Sequence, residues 1–320
     1  MPIYIGSDGT PLHYDDTRPG GGVPPLIVLA GGAARHPDYL GDLAGLSSRY
    51  RLVIPHLRGV GKSSAAPVPQ VDEAPPGEAP PGEAPPGEAP QEEASRQEAS
   101  PGDGIGSYWR QTEDIERLRE HLGLERIALA GHSAGTRLAT AYVARFPERL
   151  ACLILITPPA THLVATPPDA DELIARRLTD PVFAAAAAAA KSGPDLSDEE
   201  RFNDWARRCA PLGYARWGTV EQAHAAAGRW SLPAVRAYFS VEPPGDFAAR
   251  LARVTAPVLV VAGEVDCLTG LAPVVALADI FPAGRVEIIE RCGHYPWVEQ
   301  PTEFRRAVDG LLVEIDHHLR

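Results

Sequence analysis

Unbroken apolar runs recur along the chain at residues 26–30, 52–54, 127–130, 153–156 and 258–262, with a shorter version of the pattern at Val286-Glu-Ile-Ile289. A strand solvated on one face alternates apolar and polar side chains. An unbroken run marks a strand covered on both faces, as in a parallel sheet. Between these runs the apolar positions take a helical period. Residues 112–122 place Ile115, Leu118 and Leu122 on one face and end at Gly123, a residue suited to a left-handed helix terminus. Residues 134–146 and 301–317 follow the same pattern. Residues 3–5, the Asp8-Gly9 turn and residues 11–14 read as a hairpin. Buried strands alternating with amphipathic helices predict an α/β fold, with a mostly parallel, doubly wound sheet.

Two segments interrupt the alternation. Residues 65–106 contain PPGEA three times in tandem. Few apolar side chains, many prolines and repeated glutamates cannot offset the entropy of ordering, so this stretch is predicted to be disordered or polyproline-like. It reads as an expanded loop rather than a gate, because long surface insertions cost little stability. Residues 159–247 instead carry short helical patterns at 169–178, 197–208, 219–227 and 232–239, with Ser197 and Glu200 spaced as a capping box. The expected organisation is a core of residues 1–158 and 248–320 with a helical lid over 159–247.

Composition narrows the function classes. An apolar fraction of 44% supports a sizeable core, and a net charge of −12 argues against a nucleic-acid partner, which needs a basic face. There is no run of about 18 apolar residues to cross a membrane, and the first residues lack the pattern of a signal peptide. The cysteines Cys152, Cys209, Cys267 and Cys292 have no metal-ligand spacing. They read as reduced thiols of a cytoplasmic protein, with a Cys267–Cys292 disulfide as the minor alternative.

The chemistry is concentrated after the third long run. Gly131-His-Ser-Ala-Gly135 directly follows a predicted strand and directly precedes a predicted helix, the context of a nucleophile elbow. Ser133 would sit on a sharp turn, with glycines at 131 and 135 because larger side chains would strike neighbouring backbone. A serine hydroxyl needs a base, and the base needs a carboxylate to orient it. Asp266 and His294 lie on loops leaving the next two predicted strands, in the required order, with Glu264 a rival for the acid. His132 is read as packing. The fragment Gly59-Val-Gly-Lys-Ser63 resembles a phosphate loop, but its first glycine would fall at His56, so that reading is rejected.

Three further stretches are informative: Leu29-Ala-Gly-Gly-Ala33 with Asp38-Tyr-Leu40, Arg58-Gly-Val-Gly-Lys-Ser63, and Asp114-Ile-Glu-Arg-Leu-Arg-Glu-His-Leu-Gly123. With the elbow they make the chain resemble the α/β-hydrolase family, and within it the bacterial proline-iminopeptidase-like hydrolases. Three departures stand out: Ala30 replaces the family's histidine, His56 replaces an aspartate, and Ala134 replaces the tryptophan that iminopeptidases carry after the nucleophile. The resemblance implies an oxyanion hole built from the backbone N–H groups of Gly32 and Ala134. It also implies hydrolysis of a small ester, lactone or amide with no metal or organic cofactor. A prolyl aminopeptidase is the main alternative; an acyltransferase and a non-catalytic binding module are the others.

Overall fold

The structure is a computed structural model that describes residues 2–18, 25–66 and 104–318. Among these residues the strands are β1 (Ile3–Ile5), β2 (Pro11–Asp16), β3 (Leu26–Leu29), β4 (Leu52–Pro55), β5 (Ile127–His132), β6 (Leu150–Ile156), β7 (Val258–Gly263) and β8 (Gly284–Ile289). They form one sheet in the order β1-β2-β4-β3-β5-β6-β7-β8. The β1–β2 hairpin and the β2–β4 pair are antiparallel; every other pairing is parallel.

Consecutive residues of the central strands enter two different cores, which is why their sequences show no alternation. Ile27 and Leu29 face one side with Leu153, Leu155, Val258 and Val260. That side is covered by α1 (Tyr108–His121), α2 (Gly135–Arg145) and, later in the chain, the helix Phe247–Leu251. Leu26 and Val28 face the other side with Ile154, Ile156, Leu259 and Val261, against Phe304, Val308 and Leu311 of the C-terminal helix Pro301–His318. Between β6 and β7 come α3 (Ala170–Ala175), α4 (Pro181–Lys191), α5 (Glu199–Cys209), α6 (Thr219–Ala225) and α7 (Leu232–Tyr238). This inserted segment is tied to the core by polar contacts. Both Asp169 carboxylate oxygens accept backbone N–H groups, from Leu271 and Ala272, each at 2.9 Å.

The sequence reading needs four corrections. Residues 286–289 are not covered on both faces: β8 is the sheet edge and Ile288 is about half exposed, because the layers packed on the sheet cover β7 fully but the edge strand only in part. Helix α1 begins at Tyr108 rather than near 112, since Ser107 caps it by accepting the Arg110 N–H. Helix α5 is capped by Asp198, whose carboxylate accepts the Arg201 N–H at 3.0 Å, and not by Ser197. The ends of the stretch expected to be disordered are ordered. Ala66 is buried, and residues 104–106 form a turn leading to α1. The PPGEA repeats themselves lie outside the described residues.

Candidate active site

Strand β5 ends at His132 and α2 begins at Gly135, leaving Ser133 on the link with φ of 50°. A non-glycine residue is uncommon there and pays for the backbone geometry with strain, so neighbours must hold it. Ser133 N–H donates to Ile156 O at 2.9 Å, and Ser133 O accepts from the Thr136 N–H at 2.8 Å and its hydroxyl at 2.6 Å. The flanking glycines are required by space. A Cβ on Gly135 would lie 2.5 Å from Leu29 O, and one on Gly131 would lie 2.8 Å from Gly135 O.

The two later residues are brought together. His294 Nδ1 lies 2.7 Å from Asp266 Oδ2, and both side chains are buried. Asp266 is held by its own loop: Oδ1 accepts the Leu268 N–H at 2.8 Å, and Oδ2 accepts the Thr269 hydroxyl at 2.7 Å. A carboxylate so engaged fixes the imidazole tautomer, placing the proton on Nδ1. His294 Nε2 has no protein partner among the described residues. Glu264, the rival acid, is occupied elsewhere, its Oε2 accepting the Arg291 N–H at 2.8 Å.

His132 does more than pack. Gly31 N–H donates to the Tyr39 hydroxyl at 2.6 Å, and that hydroxyl lies 2.8 Å from His132 Nδ1. His132 Nε2 then lies 3.0 Å from His294 O. A tyrosine accepting from the amide donates to Nδ1, so Nε2 carries the proton and donates to the carbonyl. Burial, then the neighbouring His294, holds His132 well below the usual histidine range, so the ring stays neutral and the relay keeps one direction. The chain Gly31–Tyr39–His132–His294 therefore links the loop after β3, the elbow and the histidine loop. Thr157 adds a second bond to His294 O at 3.0 Å. Glu299 accepts the Gly293 and Ala215 N–H groups, each at 2.7 Å, and burial pushes its carboxyl up to about 7.

Gly32 has φ of 67°, and neither its N–H nor that of Ala134 donates to a protein acceptor among the described residues. Two backbone donors beside a serine and a histidine suit a developing oxyanion. Of the replaced family positions, His56 is held by hydrogen bonds. His56 Nε2 lies 3.1 Å from Asp15 Oδ2 and His56 Nδ1 accepts the Lys62 N–H, while the Ser63 N–H donates to Val60 O, so two backbone donors of the Gly61–Ser63 loop are spent internally. All four cysteines are free thiols.

Tyr39, Thr157, Thr269 and Glu299 had no signal in the sequence beyond Tyr39's place in the Asp38-Tyr-Leu40 stretch. Tyr39 and Thr157 find their partners far away along the chain, His132 at 93 and His294 at 137 residues' separation. Thr269 and Glu299 reach nearby residues, but only once the loops carrying Asp266 and Gly293 have folded.

Residues 24–301 match the family model described as the alpha/beta hydrolase fold. A Bacillus subtilis (strain 168) protein, provisionally named a 2-succinyl-6-hydroxy-2,4-cyclohexadiene-1-carboxylate synthase, is 26% identical over 64% of this chain and 73% of its own length. A proline iminopeptidase of Heyndrickxia coagulans is 24% identical over 64% of this chain and 73% of its own length. Among solved structures, an esterase of Rhodococcus sp. ECU1013 matches with a TM-score of 0.64 at 19% identity, covering 98% of each chain. At that identity the likeness speaks for the fold alone.

Proposed function

We propose that this chain, which belongs to the α/β-hydrolase fold family, is a serine hydrolase that cleaves a small carboxylic ester, lactone or amide. The observation that carries this is the buried His294–Asp266 pair, 2.7 Å apart, beside an elbow that holds Ser133 at a strained φ. Rings of His132 and His294 in edge contact, with centroids 4.7 Å apart, keep the histidine loop against that elbow.

In this reading His294 Nε2 takes the Ser133 hydroxyl proton as Oγ attacks the carbonyl carbon. Asp266 stabilises the imidazolium, and the Gly32 and Ala134 N–H groups hold the oxyanion. The tetrahedral intermediate collapses to an acyl-enzyme as His294 returns the proton to the leaving group. Water, deprotonated by His294, then releases the acid and restores Ser133. The inserted helices over residues 159–247 serve as the lid that covers the non-reacting part of the substrate.

The aminopeptidase reading has a relative in its favour but not the lid. Such an enzyme needs a carboxylate facing the substrate's ammonium group. Five lid carboxylates that could take this part already have protein partners: Asp198 caps α5, Glu199 accepts the Leu232 N–H, and Glu200, Asp204 and Glu221 pair with Arg229, Arg207 and Arg216. A panel of short acyl 4-nitrophenyl esters, lactones and aminoacyl naphthylamides tests the choice. Esters are expected to turn over fastest, with less than about a tenfold preference for a free over an N-acetylated prolyl amide. A preference above about a hundredfold for the free amide would make the aminopeptidase correct.

A further inference from the structure

Arg35 lies three residues beyond the oxyanion loop and is 4% exposed. Its guanidinium is held between aromatic faces, 4.2 Å from the Tyr39 ring centroid and 4.5 Å from that of Trp230. Its hydrogen bonds go to neutral oxygens only: Nε to Gly228 O at 3.1 Å, one terminal nitrogen to the Tyr295 hydroxyl at 3.0 Å, and the other to Ala227 O at 2.5 Å. No carboxylate lies within ion-pair distance of it among the described residues. Three of the five guanidinium N–H groups are thus engaged, and a full positive charge stays buried without a counter-charge.

A second donor stands beside it. Trp230 is 9% exposed, and its indole N–H is buried with no hydrogen-bond partner. That nitrogen presses on the oxyanion loop, since a Cβ on Gly32 would collide with it. Arg35 and Trp230 line the same cavity of about 20 Å³, with Tyr214, Leu268 and Tyr295 among its other walls. Tyr295 follows His294 in sequence, and Leu268 donates its N–H to Asp266. The volume admits one small polar group. An unsatisfied buried donor is costly to leave unmade, and so is an uncompensated cation.

We infer that Arg35 and Trp230 form an anion subsite beside the proposed oxyanion hole, and that the substrate carries a carboxylate received there. The assignment rests on the serine-hydrolase reading for the reaction but not for the binding. Aromatic faces stabilise the cation while the subsite is empty. The substrate carboxylate then supplies the counter-charge and accepts the Trp230 N–H.

The experiment uses pairs of 4-nitrophenyl and aryl esters that differ only in one carboxylate against its methyl ester, placed on the acyl side in one pair and on the leaving group in the other. Thermal shift of the full chain with glutarate against glutaramide is run alongside. One pair is expected to favour the acid by about tenfold or more in kcat/KM, and glutarate alone to raise Tm. Trp230→Phe keeps the ring that stacks on Arg35 and is expected to reduce the ratio several-fold. Arg35→Met is expected to bring it close to one and Arg35→Lys to restore part of it, whereas loss of a mere tie to the Ala227–Gly228 carbonyls would change turnover of the acid and of its methyl ester alike. Ratios near one in both pairs, with no shift by glutarate, would overturn the subsite while leaving the serine chemistry intact. A preference undiminished in Arg35→Met and Trp230→Phe would also overturn it. Esters left uncleaved by a protein that glutarate still stabilises, through Arg35, would uphold the subsite and remove the hydrolase reading.

Discussion

Replacing Arg58 by methionine is expected to cost about 3–5 kcal/mol of folding stability, because it strands a buried carboxylate. Arg58 has no exposed side-chain surface and pairs with two aspartates. Nε and one terminal nitrogen reach Asp114 at 2.6 and 2.8 Å, and the terminal nitrogens reach Asp8 at 2.9 and 2.8 Å. The two losses are unequal. Asp8 is partly exposed and rehydrates, whereas Asp114 is buried and keeps only the Ser7 N–H and hydroxyl, at 2.8 and 2.9 Å. Most of the cost therefore arises at Asp114. At roughly 2–4 °C per kcal/mol for domains of about 150–250 residues, Tm is expected to fall by about 6–20 °C. Equilibrium urea unfolding of the wild type, Arg58→Met, Asp114→Leu and the double variant measures the coupling. The double variant is expected to recover much of the loss, since an apolar pair leaves no charge buried. The wild type should also lose stability in acid. Burial raises the Asp8 carboxyl, but the Arg58 and Thr10 hydrogen bonds outweigh it and hold it down at about 2. A folded pKa below the unfolded one gives stability that is present above about pH 4 and disappears as pH falls through 2. A loss under about 1 kcal/mol for Arg58→Met, or strictly additive losses in the cycle, would refute the account of this cluster.

Asp266→Asn is expected to lower kcat/KM by several orders of magnitude, because an amide favours the wrong His294 tautomer, while Glu264→Gln removes only a bond to the Arg291 N–H and costs little. Steady-state kinetics on a short ester decide between them, and the reverse ranking would move the orienting role to Glu264. Excising residues 71–100, which include the PPGEA repeats, is expected to leave Tm and small-ester turnover nearly unchanged. A large fall in kcat after the excision would identify the segment as a functional element.

The central sheet and the elbow could be read from the chain because their signals are local. Unbroken apolar runs gave the buried strands, and Gly131 and Gly135 flank Ser133 where any Cβ would strike backbone. Element ends were harder, since one side chain decides them: Ser107 moves the start of α1 forward and Asp198 displaces Ser197 as the cap of α5. The supporting shell was invisible for a different reason. Tyr39, His132 and His294 meet only after β3, β5 and β8 are aligned in the sheet, and nothing in their own neighbourhoods marks them as partners. Arg35 is the extreme case. An isolated arginine reads as solvated surface, and only the fold encloses it between Tyr39 and Trp230.

The most direct test of the catalytic assignment is covalent capture of the nucleophile. Purified protein is treated with a fluorophosphonate, the modified peptide is mapped by mass spectrometry, and turnover of a short ester is compared in Ser133→Ala. One probe per chain is expected on Ser133, with Ser133→Ala unlabelled, folded and reduced in kcat by on the order of 10⁵–10⁶. Labelling of a different residue, or a Ser133→Ala variant that keeps more than about a tenth of wild-type turnover, would contradict it.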